Sequence, residues 1–474
     1  MTLWLDIDDL LVHLIRFNRP SGIQRVVYEA GAALRRTAGQ DVQFLRRGQG
    51  PFDFRVVAWD AVQAAFRLAM ERESHPPVSQ APPRASPHLG AVPGGDGDPL
   101  LPGMVRAQAR AVGAVAGLTL GVIRIAGLQG SRAARKLFAR PVKAVAPVVS
   151  VQERLESSVR FADLVRPGDV FLTLGSPWHH EDYIRTIRWL CHDLRVRFAL
   201  LIHDLVPLRH PEWCDRGIIL TFRSWHREMF PMASAVFTLS NATARDVGRY
   251  LEEQAIVVPK GISAVPAGTI CNLTSTPMSA RPIVEGRYVL FVSTIEARKN
   301  HTLLFRVWRR LLAELPADEV PTLVFAGREG WLVADLMRQL DNTDWLDGRI
   351  RFVRNPSDAD LHRLYADCLF TVFPSLFEGW GLPVTESLGM GRPCIASNTT
   401  SIPEAGGTLA RYFNPYDLHD AYRMIRDAIL DRDGLARWTE TVRAEFRPVP
   451  WDHSASAILQ TLEIPGFERT TQTA

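Results

Sequence analysis

Apolar runs of four to six residues, of the kind that suit buried strands, alternate with stretches of helical periodicity along the second half of the chain. Strands are predicted over residues 288–292 (YVLFV), 322–326, 349–353, 369–372 and 393–397, and helices over 300–312, 331–340 and 359–366. Alternation of this kind predicts a parallel sheet covered on both faces, a doubly wound domain that binds ligands outside the carboxyl ends of its strands. The first half repeats the theme. A strand near the start carries Asp6-Ile7-Asp8, an apolar-periodic segment follows over 26–34, and further strands are predicted over 197–202 (RFALLI) and 235–239 (AVFTL). Ser240-Asn241-Ala242-Thr243 after the last of these is a helix start with good capping residues.

At 474 residues the chain is long for one core, so two domains are predicted. The boundaries read as 1–262 for the first, an irregular Pro-, Thr- and Ser-rich linker over 263–286, 287–446 for the second, and a closing segment, 447–474. Within the first domain, 75–149 reads as an insertion. Its 75–103 part, crowded with Pro and Gly, is expected to be disordered. The 104–149 part holds eight Lys or Arg and no Asp or Glu. Two readings of it stand: a basic amphipathic surface lying on an anionic bilayer, or a helical insertion packed on the domain.

Hydrophobic content of 46% supports burial, and a net charge of +4 is too modest to argue for nucleic acid. Five scattered cysteines without a CxxC indicate neither a disulfide framework nor a zinc site. The N-terminal MTLWLDIDDLLVHL has acid where a secretion signal has base, and no apolar stretch is long enough to span a bilayer. A cytoplasmic protein, soluble or peripheral on the inner face of the plasma membrane, is the expectation.

The chemistry concentrates at predicted strand ends. Residues 373–386 read FPSLFEGWGLPVTE, with Glu378 on a glycine turn and Glu386 one turn inside a helix that Pro383 opens. Strand, glycine turn and helix N-terminus suit a phosphate, whereas two flanking carboxylates suit vicinal hydroxyls; a phosphorylated sugar satisfies both. Arg298 and Lys299 follow strand 288–292, where two cations would stabilise a departing diphosphate. His203 and Asp204 end strand 197–202. By position alone His203 is either a satisfied structural residue or an active-site group, and Asp204 either orients it or caps the next turn. Gly22, in Arg19-Pro-Ser-Gly22-Ile-Gln-Arg25, would allow close backbone approach to a phosphate. Asp6-Ile7-Asp8 invites a metal reading, rejected because it falls within the first predicted strand and the chain supplies cations instead.

Glu-Gly-aromatic-Gly-Leu-Pro followed by Glu386 resembles the donor-site signature of retaining glycosyltransferases of family 4, which adopt the two-domain GT-B fold. Arg298-Lys299-Asn300, HDLVPLRHPEW from His203, the Gly22 loop, Gly327-Arg328-Glu329-Gly330, Pro403-Glu404-Ala405-Gly406-Gly407 and the Trp451 segment resemble further parts of that family. The resemblance implies α/β architecture with two Rossmann-like domains facing across a cleft, and a final helix crossing back to the first. It implies catalytic roles for His203, Arg298, Lys299 and Glu378, with donor binding by Gly22, Gly327, Val353, Gly379, Trp380, Gly381, Leu382 and Glu386. A nucleotide diphosphate sugar would be the donor, with no metal and no cofactor, and a lipid-linked or oligosaccharide hydroxyl the acceptor. The histidine loop looks like that of bacterial mannosyltransferases of lipid-linked polysaccharide synthesis, which puts GDP-mannose first and UDP-glucose second. An epimerase or phosphorylase on the same fold, and an inactive membrane-associated binding subunit, are the competing readings.

Overall fold

A computed structural model describes residues 1–17, 20–72, 158–270 and 277–467. The insertion expected over 75–149, with both readings of its basic part, lies outside the described residues.

Seven strands build the first sheet: β1 (Leu3–Asp6), β2 (Val42–Arg47), β3 (Phe54–Val57), β4 (Val170–Thr173), β5 (Arg197–Ile202), β6 (Ala233–Thr238) and β7 (Ile262–Ala264). Their spatial order is β3-β2-β1-β4-β5-β6-β7, parallel throughout except where β3 returns along β2. The second sheet has six strands, β8 (Tyr288–Val292), β9 (Thr322–Gly327), β10 (Ile350–Arg354), β11 (Thr371–Phe373), β12 (Cys394–Ser397) and β13 (Arg411–Phe413). These run in the order β10-β9-β8-β11-β12-β13, all parallel. Strand order therefore reverses direction between β1 and β4 in one sheet and between β8 and β11 in the other. Crevices open outside the carboxyl ends of strands at such reversals, because the helices on either side leave on opposite faces.

Strands buried on both faces account for runs such as FALLI and VLFV, which carry no outward polar alternation. The helices covering them show the complementary one-sided pattern: in His301–Glu314, Leu304, Phe305, Trp308 and Leu311 are buried, and Arg309 and Arg310 are not.

Several element boundaries differ from the sequence expectation. The first strand stops at Asp6, and Asp8 already opens a helix, Asp8–Phe17, because its amide is held by the Asp6 carboxylate at 3.0 Å. Strand pairing through β7 and the buried Val265, Ala267 and Ile270 carry the first domain beyond residue 262, into the segment expected as linker. The helix predicted from 331 starts at Ala334, since Leu332 takes a left-handed backbone conformation (φ 57°) that breaks helical continuity. The closing helix, Trp451–Thr461, buries Trp451, Ala455, Ile458 and Leu459 in the first domain's core, against the helix Gly22–Ala38.

Candidate active site

Glycine decides the path of the loop after β11. Gly381 adopts φ 110°, which an L side chain rarely tolerates, and from it the helix Leu382–Gly389 starts. A Cβ on Gly379 would lie 1.8 Å from the His203 carbonyl oxygen, so only glycine lets the second domain's loop pass beneath the end of β5. Ser240 Oγ donates to the Gly379 carbonyl at 2.8 Å, which pins the same loop from the first domain. Trp380 packs against the cores of both domains.

On this turn Glu378 is nearly buried, with 8% of its surface exposed. Lys299 Nζ lies 2.5 Å from Oε1 and Arg298 Nη1 2.9 Å from Oε2, while Ser375 Oγ donates to Oε1 at 2.5 Å. Burial alone would raise the carboxyl's pKa, but the two cations and the hydroxyl together outweigh it and hold Glu378 at about 2. Arg298 is also held by Glu296 (2.7 Å) and by the Phe377 carbonyl (2.5 Å). Despite burial, the surrounding carboxylates push its pKa further upward, so it stays charged. Asn300 accepts the left-handed conformation (φ 60°) that turns the chain into the next helix, and its side-chain amide anchors on the Pro374 and Pro415 carbonyls. Both cations are thus fixed where β8 and β11 diverge.

His203 stands at the end of β5, partly buried, and its Nε2 lies 2.8 Å from the Leu174 carbonyl just beyond β4. A carbonyl only accepts, so Nε2 carries the proton and Nδ1 keeps a lone pair. Burial lowers the imidazole pKa, which keeps the ring neutral at physiological pH. Asp204 Oδ1 accepts from the Val206 amide at 3.1 Å; in this structure it caps the following turn rather than contacting the ring.

The remaining sequence-predicted residues divide. Gly22 opens the helix Gly22–Ala38, where a Cβ would lie 3.3 Å from Leu382 Cδ1, so the N-termini of two helices from different domains abut and both present positive dipole ends. Partly buried Glu386 accepts from Tyr365 Oη at 3.0 Å, and burial raises its pKa even though Arg25 pulls the other way. Gly327 ends β9, where a Cβ would meet the Ser293 carbonyl oxygen at 2.1 Å. Val353 lies on the edge strand β10, packed against the cluster around Tyr288 and Leu290.

Other residues at the site lie in segments that sequence reasoning quoted, Arg25 in the Gly22 loop and Glu404 in the 403–407 turn, but without the partners they find. Arg25, one helical turn after Gly22, pairs with Asp358 of the second domain at 2.6 Å, and both are buried. Glu404 reaches across to the helix Asn241–Glu253, accepting from the amides of Asn241 (2.7 Å) and Ala242 (2.8 Å), a carboxylate on a helix N-terminus. Only the i, i+3 relation of Gly22 and Arg25 was open to sequence reading; the pairings across the cleft needed three dimensions. Asp6 accepts from Tyr183 Oη at 2.7 Å, and Asp8 from the Arg47 amide at 3.0 Å. Among the described residues no group of three or more His, Cys, Asp and Glu is placed to hold a metal ion, and no helix is long and apolar enough to cross a membrane.

Two parallel-sheet α/β domains with a polar cluster at their junction define the GT-B architecture. Residues 279–445, a stretch that includes Arg298, Lys299 and Glu378, match the family model described as Glycosyl transferases group 1. The chain is 26% identical over 315 residues to the serotype-specific mannosyltransferase WbdA of Escherichia coli, covering 65% of this chain and 38% of that protein. With the O-antigen chain mannosyltransferase B of Escherichia coli it shares 24% identity over 282 residues, 58% of this chain and 72% of the relative. A D-inositol 3-phosphate glycosyltransferase of Thermobifida fusca is 29% identical over 166 residues, 33% of this chain and 36% of its own. The chain thus spans less than half the length of WbdA.

Proposed function

We propose that the protein transfers a hexose from a nucleotide diphosphate sugar to an acceptor hydroxyl with retention of anomeric configuration, and that the donor is GDP-mannose. The observation that carries this is the salt-bridged group of Arg298, Lys299 and Glu378 at the β8/β11 divergence, with His203 opposite on the first domain.

In the reaction the bond between the anomeric carbon and the diphosphate oxygen breaks, and the acceptor oxygen bonds to the same face of that carbon. The acceptor's proton leaves on a diphosphate oxygen, giving a glycoside and a nucleoside diphosphate. Charge develops on the leaving diphosphate, where fixed cations act more strongly than water. Arg298 and Lys299 supply that charge without a metal ion. Glu378, ionised at any physiological pH, supports positive charge at the anomeric carbon and accepts from sugar hydroxyls. Neutral His203 offers its Nδ1 lone pair to a sugar hydroxyl. Glu386 accepts from the ribose, and the abutting helix N-termini at Gly22 and Leu382 face the phosphates. The mannosyltransferase relatives support the choice of sugar.

A thermal-shift panel of GDP-, UDP- and dTDP-sugars tests the donor, because a ligand at 100 times its Kd adds about 2.7 kcal/mol of stability. GDP-mannose is expected to give the largest shift and to be turned over in the presence of a chelator, with an α product by NMR. A shift with UDP-glucose and none with GDP-mannose would reassign the donor. No binding of any nucleotide sugar would leave a binding subunit as the reading.

A further inference from the structure

A cavity of about 220 Å³ opens beside His203 and Arg298, on the first-domain side of the site. Beside aliphatic residues such as Leu201 and Val206, aromatic rings line it: Trp178, Trp213, Phe222 and Trp225 from the first domain and Trp331 from the second. These rings are held in place. Trp178 meets Phe222 and Trp225 edge-on at 5.1 and 6.1 Å, and Trp213 stacks on His210 at 4.3 Å while its carbonyl accepts from Trp331 Nε1 at 2.9 Å.

Three polar features of the walls narrow the ligand. Trp225 is 4% exposed, and its Nε1–H is buried with no partner among the described residues, so its desolvation is not offset there. His226, also in the wall, bonds through Nδ1 to the Phe222 carbonyl at 2.8 Å, so Nδ1 carries the proton and Nε2 is an acceptor. Burial takes its pKa down to about 3, so the ring is neutral. The charged side chains lining the cavity are Asp204, Glu296 and Arg298, and the single cation among them is already engaged by Glu296 and Glu378.

We propose that this cavity is the acceptor subsite and takes one uncharged pyranose ring, the terminal sugar of a glycan, in preference to a phosphorylated acceptor. Sugar rings present apolar C–H faces that pack on aromatic rings, and hydroxyls that meet a lone N–H donor and a neutral imidazole acceptor. A phosphate here would face the carboxylates of Asp204 and Glu296, and the one cation among the described lining residues, Arg298, is the group assigned above to the donor's diphosphate. The volume is below that of pockets for drug-sized ligands, which suits a single ring and not a lipid chain. Contiguity with His203 brings an acceptor hydroxyl to the edge of the donor site. The assignment rests on the glycosyl-transfer reading for the word acceptor, but the saccharide pocket itself does not.

The test uses the full chain with methyl α-D-mannopyranoside, α-mannobiose, mannose 6-phosphate and inositol phosphate as probes, in saturation-transfer NMR and calorimetry. The neutral saccharides are expected to bind and the phosphorylated ones not. Trp225→Phe keeps the ring and removes the N–H, and should weaken mannobiose roughly tenfold, as the loss of a buried donor does; Trp213→Leu, at a partly exposed position, should do the same by removing a stacking face. Nucleoside diphosphate binding should be unchanged in both, which also reports that the variants are folded. Failure of the wild type to bind a neutral saccharide, tighter binding of a phosphorylated probe, or wild-type mannobiose affinity in both variants would overturn the proposal. Saccharide binding lost in the variants of a protein that turns over no nucleotide sugar would keep the pocket and remove the glycosyl-transfer reading instead.

Discussion

Lys299 Nζ lies 2.5 Å from Glu378 Oε1, and the two residues reach each other from loops that follow different strands of the second sheet, β8 and β11. A cation and a carboxylate this close, each more than four-fifths buried, hold each other in place before any substrate arrives. In the proposed reaction an incoming diphosphate would meet a preset ammonium and guanidinium.

Separate roles for the partners predict separate kinetic defects. Lys299→Ala and Arg298→Ala should each lower kcat/KM by about 10²- to 10³-fold and weaken nucleoside diphosphate binding, as loss of one fixed donor to a developing anion does. Glu378→Gln removes the charge that pairs with Lys299 and leaves Arg298 to Glu296 and the Phe377 carbonyl, so it should lower kcat while diphosphate affinity is kept or increased. Calorimetry with the nucleoside diphosphate alone, set beside steady-state rates, checks this; a loss of diphosphate affinity in Glu378→Gln equal to that in Lys299→Ala would refute the division.

Glu378 also gives stability a pH dependence. Its folded pKa of about 2 lies below the ordinary 4.5, so the unfolded chain binds the proton more readily over that interval. The stabilisation is complete above about pH 4.5 and is lost as pH falls from there toward about 2. Urea unfolding from pH 6 to pH 3 should show the loss in the wild type and a shallower one in Glu378→Gln.

Most of the fold was open to sequence reading because strands buried on both faces are written as uninterrupted apolar runs, and helices between them as one-sided ones. The runs around 288–292 and 197–202 were placed to the residue on that basis. Asp8 was misplaced because a β-prone run flows without punctuation into a helix whose start is set by the Asp6 carboxylate, a local hydrogen bond that periodicity does not encode. At the site, Glu378, Arg298 and Lys299 were legible because each sits at a strand end beside glycine or a helix start. Arg25 with Asp358, Glu404 with the amides of Asn241 and Ala242, and the aromatic walls around Trp225 were not. Each joins segments far apart in the chain, and each residue taken singly looks like an ordinary surface charge or core ring.

Asp6 should act on stability in the opposite direction from Glu378. Burial, with Asp8 nearby, raises its pKa from 3.8 to about 6, so the folded protein keeps a proton that the unfolded chain has released. Stability contributed by this proton is present below about pH 4 and is lost as pH rises through about 6, to the extent of roughly 3 kcal/mol. Asp6→Asn can still accept from the Asp8 amide and can donate to Tyr183 Oη, so the bonds survive without the buried charge. The variant should lose less stability than the wild type between pH 4 and pH 7. Parallel curves for the two proteins would show that Asp6 titrates normally.

Gly379→Ala should separate closure from folding. The added Cβ would lie 1.8 Å from the His203 carbonyl oxygen and 2.8 Å from its carbon, both backbone atoms that cannot swing aside. The loop end of β5 and the Glu378 turn must then part, which moves His203 away from Glu378 and strains the Ser240 bond to the Gly379 carbonyl. Neither hydrophobic core loses an atom. Misplacement of about 1 Å between groups that act together costs on the order of 10²-fold in rate, so kcat should fall by that much or more. Nucleoside diphosphate affinity should stay within a few-fold of wild type, because the groups that hold Arg298 and Lys299, namely Glu296, Glu378 and the Phe377 carbonyl, all belong to the second domain. Steady-state rates with calorimetry decide it: wild-type kcat in Gly379→Ala would mean that turnover does not require this contact.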